Sequence, residues 1–157
     1  MTALDQAGSD LADLLTSRSV IAQLRAPTKR QVLQELARRA AAMTGIADKR
    51  IYDALMERER LGTTGIGTGV AVPHCRLSEL TRLYGFFARL ERPVPFEAID
   101  DQPVDLVFLL LAPADAGAEH LKALARVSRL LRDKAMCEKL RGANSADALY
   151  ALLSGGG

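Results

Sequence analysis

The chain has 157 residues, 48% of them hydrophobic and 25% charged, which suits one folded domain and excludes a disordered or fibrous chain. Its 21 basic and 19 acidic residues are scattered and leave a formal net charge of +2, and only 4% of residues are aromatic, with no Trp. That balance supplies neither the basic footprint nor the stacking surface of a nucleic-acid binder.

The N-terminal stretch "MTALDQAGSDLADLL" carries three aspartates and no basic region, so it does not read as a signal peptide. "SVIAQLRA" (19–26) reads as a first strand. Pro27 and Thr28 open a helix with Thr28 as N-cap. Val32, Leu33, Leu36, Ala40 and Met43 lie on one face, and Gly45 stops it. Asp48 is expected to cap a second helix, with Ile51, Leu55 and Met56 inward, that ends in the cluster Glu57–Arg60.

A glycine loop, "LGTTGIGTG", follows, then a brief strand "VAVPH". "RLYGFFARLE" (82–91) is a second apolar strand, and the prolines of "RPVPFEAIDDQP" make an extended connection. "VDLVFLLLA" (104–112) reads as a buried central strand that could pair with 82–91 as a hairpin. Overlapping it, the apolar run 106–114 is too short to span a bilayer and contains Pro113. A helix is expected from about Glu119 to Leu131, with Leu121, Leu124, Val127 and Leu131 inward. Two short helices follow at 133–141 and 145–153, and Gly155–Gly157 reads as a frayed end. The whole is expected to be a single domain over residues 1–157, with a core from about 11 to 153: an α/β fold with a mixed sheet sandwiched by helices.

The glycine stretch runs directly into Pro73 and His74. A dinucleotide fingerprint would need glycine where Val70 stands, and a helix after the loop rather than a strand; a phosphate-binding Walker loop would need Lys where Thr68 stands. Taken alone, the glycines read equally well as turns or as a nest of N–H groups that holds an anion. His74 beside such a nest could accept a phosphoryl group on a ring nitrogen. His120, in the first turn of its helix, reads either as a boundary histidine or as a partner for a phosphoryl oxygen. Arg58, one turn before the loop, is a candidate fixed cation, although a lone Arg in "ERER" can equally be a solvated face. Cys75 and Cys137 have no CxxC spacing and read as reduced thiols of a cytosolic protein. A Cys2His2 metal site or a Cys–His thiol enzyme is disfavoured, because adjacent strand residues point to opposite faces.

With these residues in view, "RERLGTTGIGTGVAVPHC" (58–75) resembles the active-site signature of the type-2 IIA proteins of the bacterial phosphoenolpyruvate phosphotransferase system. "FEAIDDQPVDLVFLLLAPADAGAEHLKAL" (96–124) resembles their nitrogen-regulatory branch, IIA-Ntr. The resemblance implies a mannitol-type IIA fold, with no metal or cofactor, in a cytoplasmic protein that does not insert into membranes. It implies that His74 accepts a phosphoryl group through Nε2 from an HPr-like carrier protein (NPr). Arg58 and His120 would stabilise and orient that group, and Thr64, Gly65, Gly67 and Gly69 would form its loop. Potassium transporters and sensor kinases would be the regulated partners. A sugar-specific IIA that feeds a separate IIB is an alternative, and a non-catalytic interaction domain is another. Cys75 departs from the glycine common at that position and raises the possibility of a redox-sensitive site.

Overall fold

A computed structural model describes residues 11–155. The first ten residues, most of the stretch read for a signal peptide, lie outside it, as do Gly156 and Gly157 of the terminal glycines. After a turn of 3-10 helix at Ser17–Ser19, the described chain forms β1 (Val20–Leu24), α1 (Lys29–Thr44), α2 (Asp48–Arg60), β2 (Gly65–Gly67), β3 (Val70–Ala71), β4 (His74–Leu77), β5 (Tyr84–Val94), β6 (Val104–Pro113), α3 (Ala118–Arg132), α4 (Lys134–Gly142) and α5 (Ala146–Leu153).

Local signals set most of these boundaries. Thr28 caps α1 by accepting from the Gln31 N–H, and Gly45 ends it in a left-handed conformation at φ 78°. Asp133 and Ser145 cap α4 and α5 in the same way. The second helix departs from expectation: Ala47 is its N-cap and makes no side-chain cap bond, while Asp48 is the first helical residue. A carboxylate there still favours the positive end of the helix dipole.

The sheet has the order β1-β5-β6-β3-β2, with β4 also on β6. β5 and β6 pair antiparallel as the expected hairpin, whereas β1 runs parallel to β5, and both β3 and β4 run parallel to β6. The single strand expected at "VAVPH" is thus two, laid end to end along β6 and interrupted at Val72–Pro73. Pro73 has no N–H to donate, and the Val72 N–H turns away to the Thr64 carbonyl at 2.9 Å.

Alternation along the strands divides the core. Val107, Leu109 and Leu111 join Leu33, Leu36, Ile51 and Leu55 under α1 and α2. Leu106, Phe108 and Leu110 join Val127, Leu131, Leu140 and Leu149 under α3–α5. β4 lies where these layers meet. Cys75 and Leu77 belong to the first layer, so His74 and Arg76 face the other way, towards the start of α3.

Candidate functional site: a two-histidine cleft

His74 is the first residue of β4 and is half-buried. Its Nδ1 lies 2.9 Å from the Val72 carbonyl oxygen. A carbonyl only accepts, so Nδ1 carries the proton and Nε2 carries the lone pair. Arg58 Nε donates to that lone pair at 3.2 Å, and Arg58 Nη1 donates to the Gly62 carbonyl at 3.0 Å. Burial, opposed by the Val72 hydrogen bond and assisted by the Arg58 charge, holds the His74 pKa below its ordinary value. The ring is accordingly neutral near pH 7, with its free electron pair on the outward nitrogen.

His120 enters from α3, on the packed face shared by Ala123, Val127 and Leu131, and is only 4% exposed. It is therefore more buried than a boundary residue. Leu121, expected inward, is instead 64% exposed. The two imidazoles meet edge to face, with ring centroids 5.7 Å apart and planes at 71°. Arg76 Nε donates to His120 Nδ1 at 3.0 Å. Desolvation first, then the neighbouring His74 and Arg76, push the His120 pKa down to about 4.

Behind Arg58 lies a buried carboxylate, Glu59. It accepts from Lys29 Nζ at 2.8 Å, from the Thr64 N–H at 3.2 Å and from the Thr64 hydroxyl. Through Thr64, whose carbonyl holds the Val72 N–H, this carboxylate is linked to the segment that carries His74. Thr64 is thus tied into the scaffold of the site, beneath its surface.

The glycines are placed differently from a phosphate cradle. Gly65–Gly67 and Val70–Ala71 form a small antiparallel ladder, turned at Thr68 and Gly69. A Cβ on Gly65 would sit 2.9 Å from the Ala98 Cα, and one on Gly69, at φ 82°, would sit 2.5 Å from Arg141 Nη2. Close packing against the 96–105 connection and a left-handed turn account for these glycines. The Gly65 N–H donates to Thr63 Oγ1, and the Thr68 N–H to Asp100. Gly65, Gly67, Gly69 and Thr64 do not line the cleft that contains His74. Gly62 does serve the site, through the carbonyl that orients Arg58.

That cleft, of about 500 Å³, is lined by Arg50, Ala54, Glu57, Arg58, Leu61, His74, Cys75, Arg76, His120, Leu121 and Leu124. Leu61, 83% exposed, and Leu121 are apolar side chains on its rim. Arg76 escaped sequence reading, although its two-residue spacing from His74 on one strand places both on one face. Glu59 also escaped it, within the "ERER" run. The Cys75 thiol is buried, with its pKa pushed up to about 12, mainly by desolvation. That environment suppresses the thiolate on which redox reactivity depends. A slightly larger cleft, about 540 Å³, lies around Gln31, Glu35, Arg38, Asp48 and Tyr52, where Arg38 and Glu35 are paired with each other.

The comparisons with known proteins agree with this fold. The family model described as "Phosphoenolpyruvate-dependent sugar phosphotransferase system, EIIA 2" matches residues 13–155. The chain is 51% identical to a nitrogen regulatory protein of Bradyrhizobium diazoefficiens, over 92% of this chain and 94% of that one. Its fold matches the crystal structure of nitrogen regulatory protein IIA-Ntr from Neisseria meningitidis with a TM-score of 0.86 at 31% identity, covering 90% and 97% of the two chains. IIA mannitol from Escherichia coli, at 22% identity, shares the fold with a TM-score of 0.74 over 88% and 98% of the chains. The mixed sheet between helical layers is thus the mannitol-type IIA fold, and the chain belongs to the EIIA 2 family of the phosphotransferase system, with IIA-Ntr proteins among its relatives.

Proposed function

We propose that the protein is a cytoplasmic phosphohistidine carrier, that His74 Nε2 is the acceptor, and that its phosphorylation state is the signal. The observation that carries this reading is the lone pair on Nε2, fixed by the Val72 carbonyl on Nδ1 and held in a cleft with Arg58 and His120. Nε2 attacks the phosphorus of a phosphohistidine on an HPr-like donor (NPr). The new N–P bond forms as the donor's N–P bond breaks, and the electron pair of the broken bond returns to the donor ring. The His74 ring keeps its Nδ1 proton and becomes cationic, a charge that the Val72 carbonyl stabilises. The Arg58 guanidinium turns from Nε2 to the phosphoryl oxygens, and His120 offers a second donor.

The exposed Leu61 and Leu121 rim suits a protein donor, because apolar side chains around a charged centre exclude water on docking. A phosphoryl group beside Arg50, Arg58 and Arg76 would change the charge of this face. A target that binds here would then distinguish the two forms. Potassium transporters and sensor kinases are the proposed targets. The nitrogen-regulatory relatives favour that role over phosphate delivery to a sugar-specific IIB.

Incubation with phosphorylated NPr tests the reading. Wild-type protein should acquire an acid-labile, base-stable phosphoryl group, and His74→Ala should acquire none. Equal labelling of His74→Ala would overturn His74 as acceptor, and failure of wild type to label with any HPr-like donor would leave a binding domain.

A further inference from the structure

Arg76 is exposed at its backbone position on β4, yet its Nε–H is committed to a buried partner, His120 Nδ1, at 3.0 Å. A guanidinium keeps its protons in proteins, so Nε donates and Nδ1 must accept. The neutral His120 ring has one proton, and that proton must then sit on Nε2. Nε2 is itself buried with no hydrogen-bond partner, on a ring that meets His74 edge to face. An unpaired buried N–H is costly, and an acceptor oxygen arriving in the cleft would relieve that cost.

We propose that Arg76 is a positioning residue that fixes His120 as its Nε2–H tautomer, so that the ring offers a donor rather than a lone pair to the phosphoryl group on His74. The inference rests on His74 being the acceptor. The two histidines are then held as opposite tautomers. His74 presents a lone pair because a carbonyl takes its Nδ1 proton, and His120 presents a proton because an arginine fills its Nδ1 lone pair. One short strand carries both the nucleophile and the residue that sets its partner. A lone pair facing an anionic oxygen would repel it, so the wrong tautomer removes a contact and adds a repulsion.

Burial first, then the neighbouring His74 and Arg76, keeps the His120 ring neutral. The other charged groups that face this cleft are Arg50, Arg58 and Glu57 from α2, with Glu119 and Lys122 beside His120 on α3.

The test pairs the ring-nitrogen NMR signals of His120 with the rate of phosphoryl uptake from phosphorylated NPr. Three proteins are compared: wild type, Arg76→Met and Arg76→Lys. Wild type should show the Nε2–H pattern. Arg76→Met, which keeps the stem but not the donor, should mix the tautomers and slow uptake by about 10- to 100-fold, with the His74 pattern unchanged. Arg76→Lys should restore the Nε2–H pattern and most of the rate. An unchanged His120 tautomer in Arg76→Met overturns the proposal, as does a changed tautomer with normal uptake. If wild type takes up no phosphoryl group, the carrier reading fails, and the NMR comparison alone still decides whether Arg76 sets the tautomer.

Discussion

The two histidines of the cleft are held by different means. His74 is fixed by main chain: a proline that interrupts an edge strand, and a carbonyl two residues back that takes the ring proton. His120 is fixed by a side chain from another element, placed against it only when α3 docks on the sheet. The first arrangement is local to Val72–His74. The second exists only in the completed fold, and one substitution can undo it. The nucleophilic role proposed for His74 benefits from the stricter arrangement, since small misplacements of a reacting atom are costly, while the assisting role proposed for His120 tolerates the looser one.

The comparison breaks most severely at the support beneath His74. Glu59→Ala would leave Lys29 and the Thr64 N–H without their shared carboxylate, with an expected loss of about 3–5 kcal/mol read from urea unfolding. Arg76→Met, by contrast, should cost no more than about 1–3 kcal/mol, the penalty for leaving His120 Nδ1 without its donor. A Glu59→Ala protein as stable as wild type would show that the carboxylate is not the anchor.

Next in size is Arg58→Ala. Losing a charge-assisted contact worth about 1.5–3 kcal/mol should slow uptake by roughly 10- to 150-fold without unfolding the protein. Arg58→Lys should recover only part of the rate, because a point charge cannot hold Gly62 and the phosphoryl group through one planar fork.

Acid sharpens the contrast between the rings. Both pKa values are depressed on folding, that of His120 from 6.5 to about 4. The unfolded chain therefore takes up protons as the pH falls through 6.5, while the folded His120 does not until about 4. The stability contributed above 6.5 is lost progressively over that interval. Urea midpoints should fall between about pH 7 and pH 5, and His120→Gln should flatten the decline. A wild-type midpoint that is level across that range would contradict the depressed values.

The smallest effect is expected at Cys75. Its thiol should resist alkylation in the folded protein near pH 8 and react only in denaturant. Rapid modification of native protein would restore the redox reading.

Much of this architecture is legible in the sequence because its signals are local. Thr28, the cap of α1, lies within three residues of the group it satisfies. The β5–β6 hairpin follows from two apolar runs joined by a proline-rich connection. His74, Arg58 and His120 could be picked out, the last two only as candidates among bland alternatives. Less legible are the features that depend on distant chain. The apolar run continues through Val72, so Pro73 is the one local sign of the break between β3 and β4, and the Thr64 carbonyl that takes the Val72 N–H is supplied from outside it. A glycine-rich stretch fits a loop and a tight hairpin equally well, and only the approach of Ala98 and Arg141 decides between them. Leu121 fits the inward helical spacing, but α3 turns that side chain to the cleft rim. Arg76 is one arginine among many until α3 brings His120 to it.

The break at Val72–Pro73 has one more consequence. An open strand edge offers unpaired backbone groups on which another chain can add. Here the Val72 N–H is occupied by Thr64 and its carbonyl by the His74 ring. A substituent on Nε2 leaves both bonds in place, whereas one on Nδ1 would remove the proton that the Val72 carbonyl accepts. Modification at Nε2, as proposed for His74, thus keeps both main-chain groups of Val72 paired at the strand break.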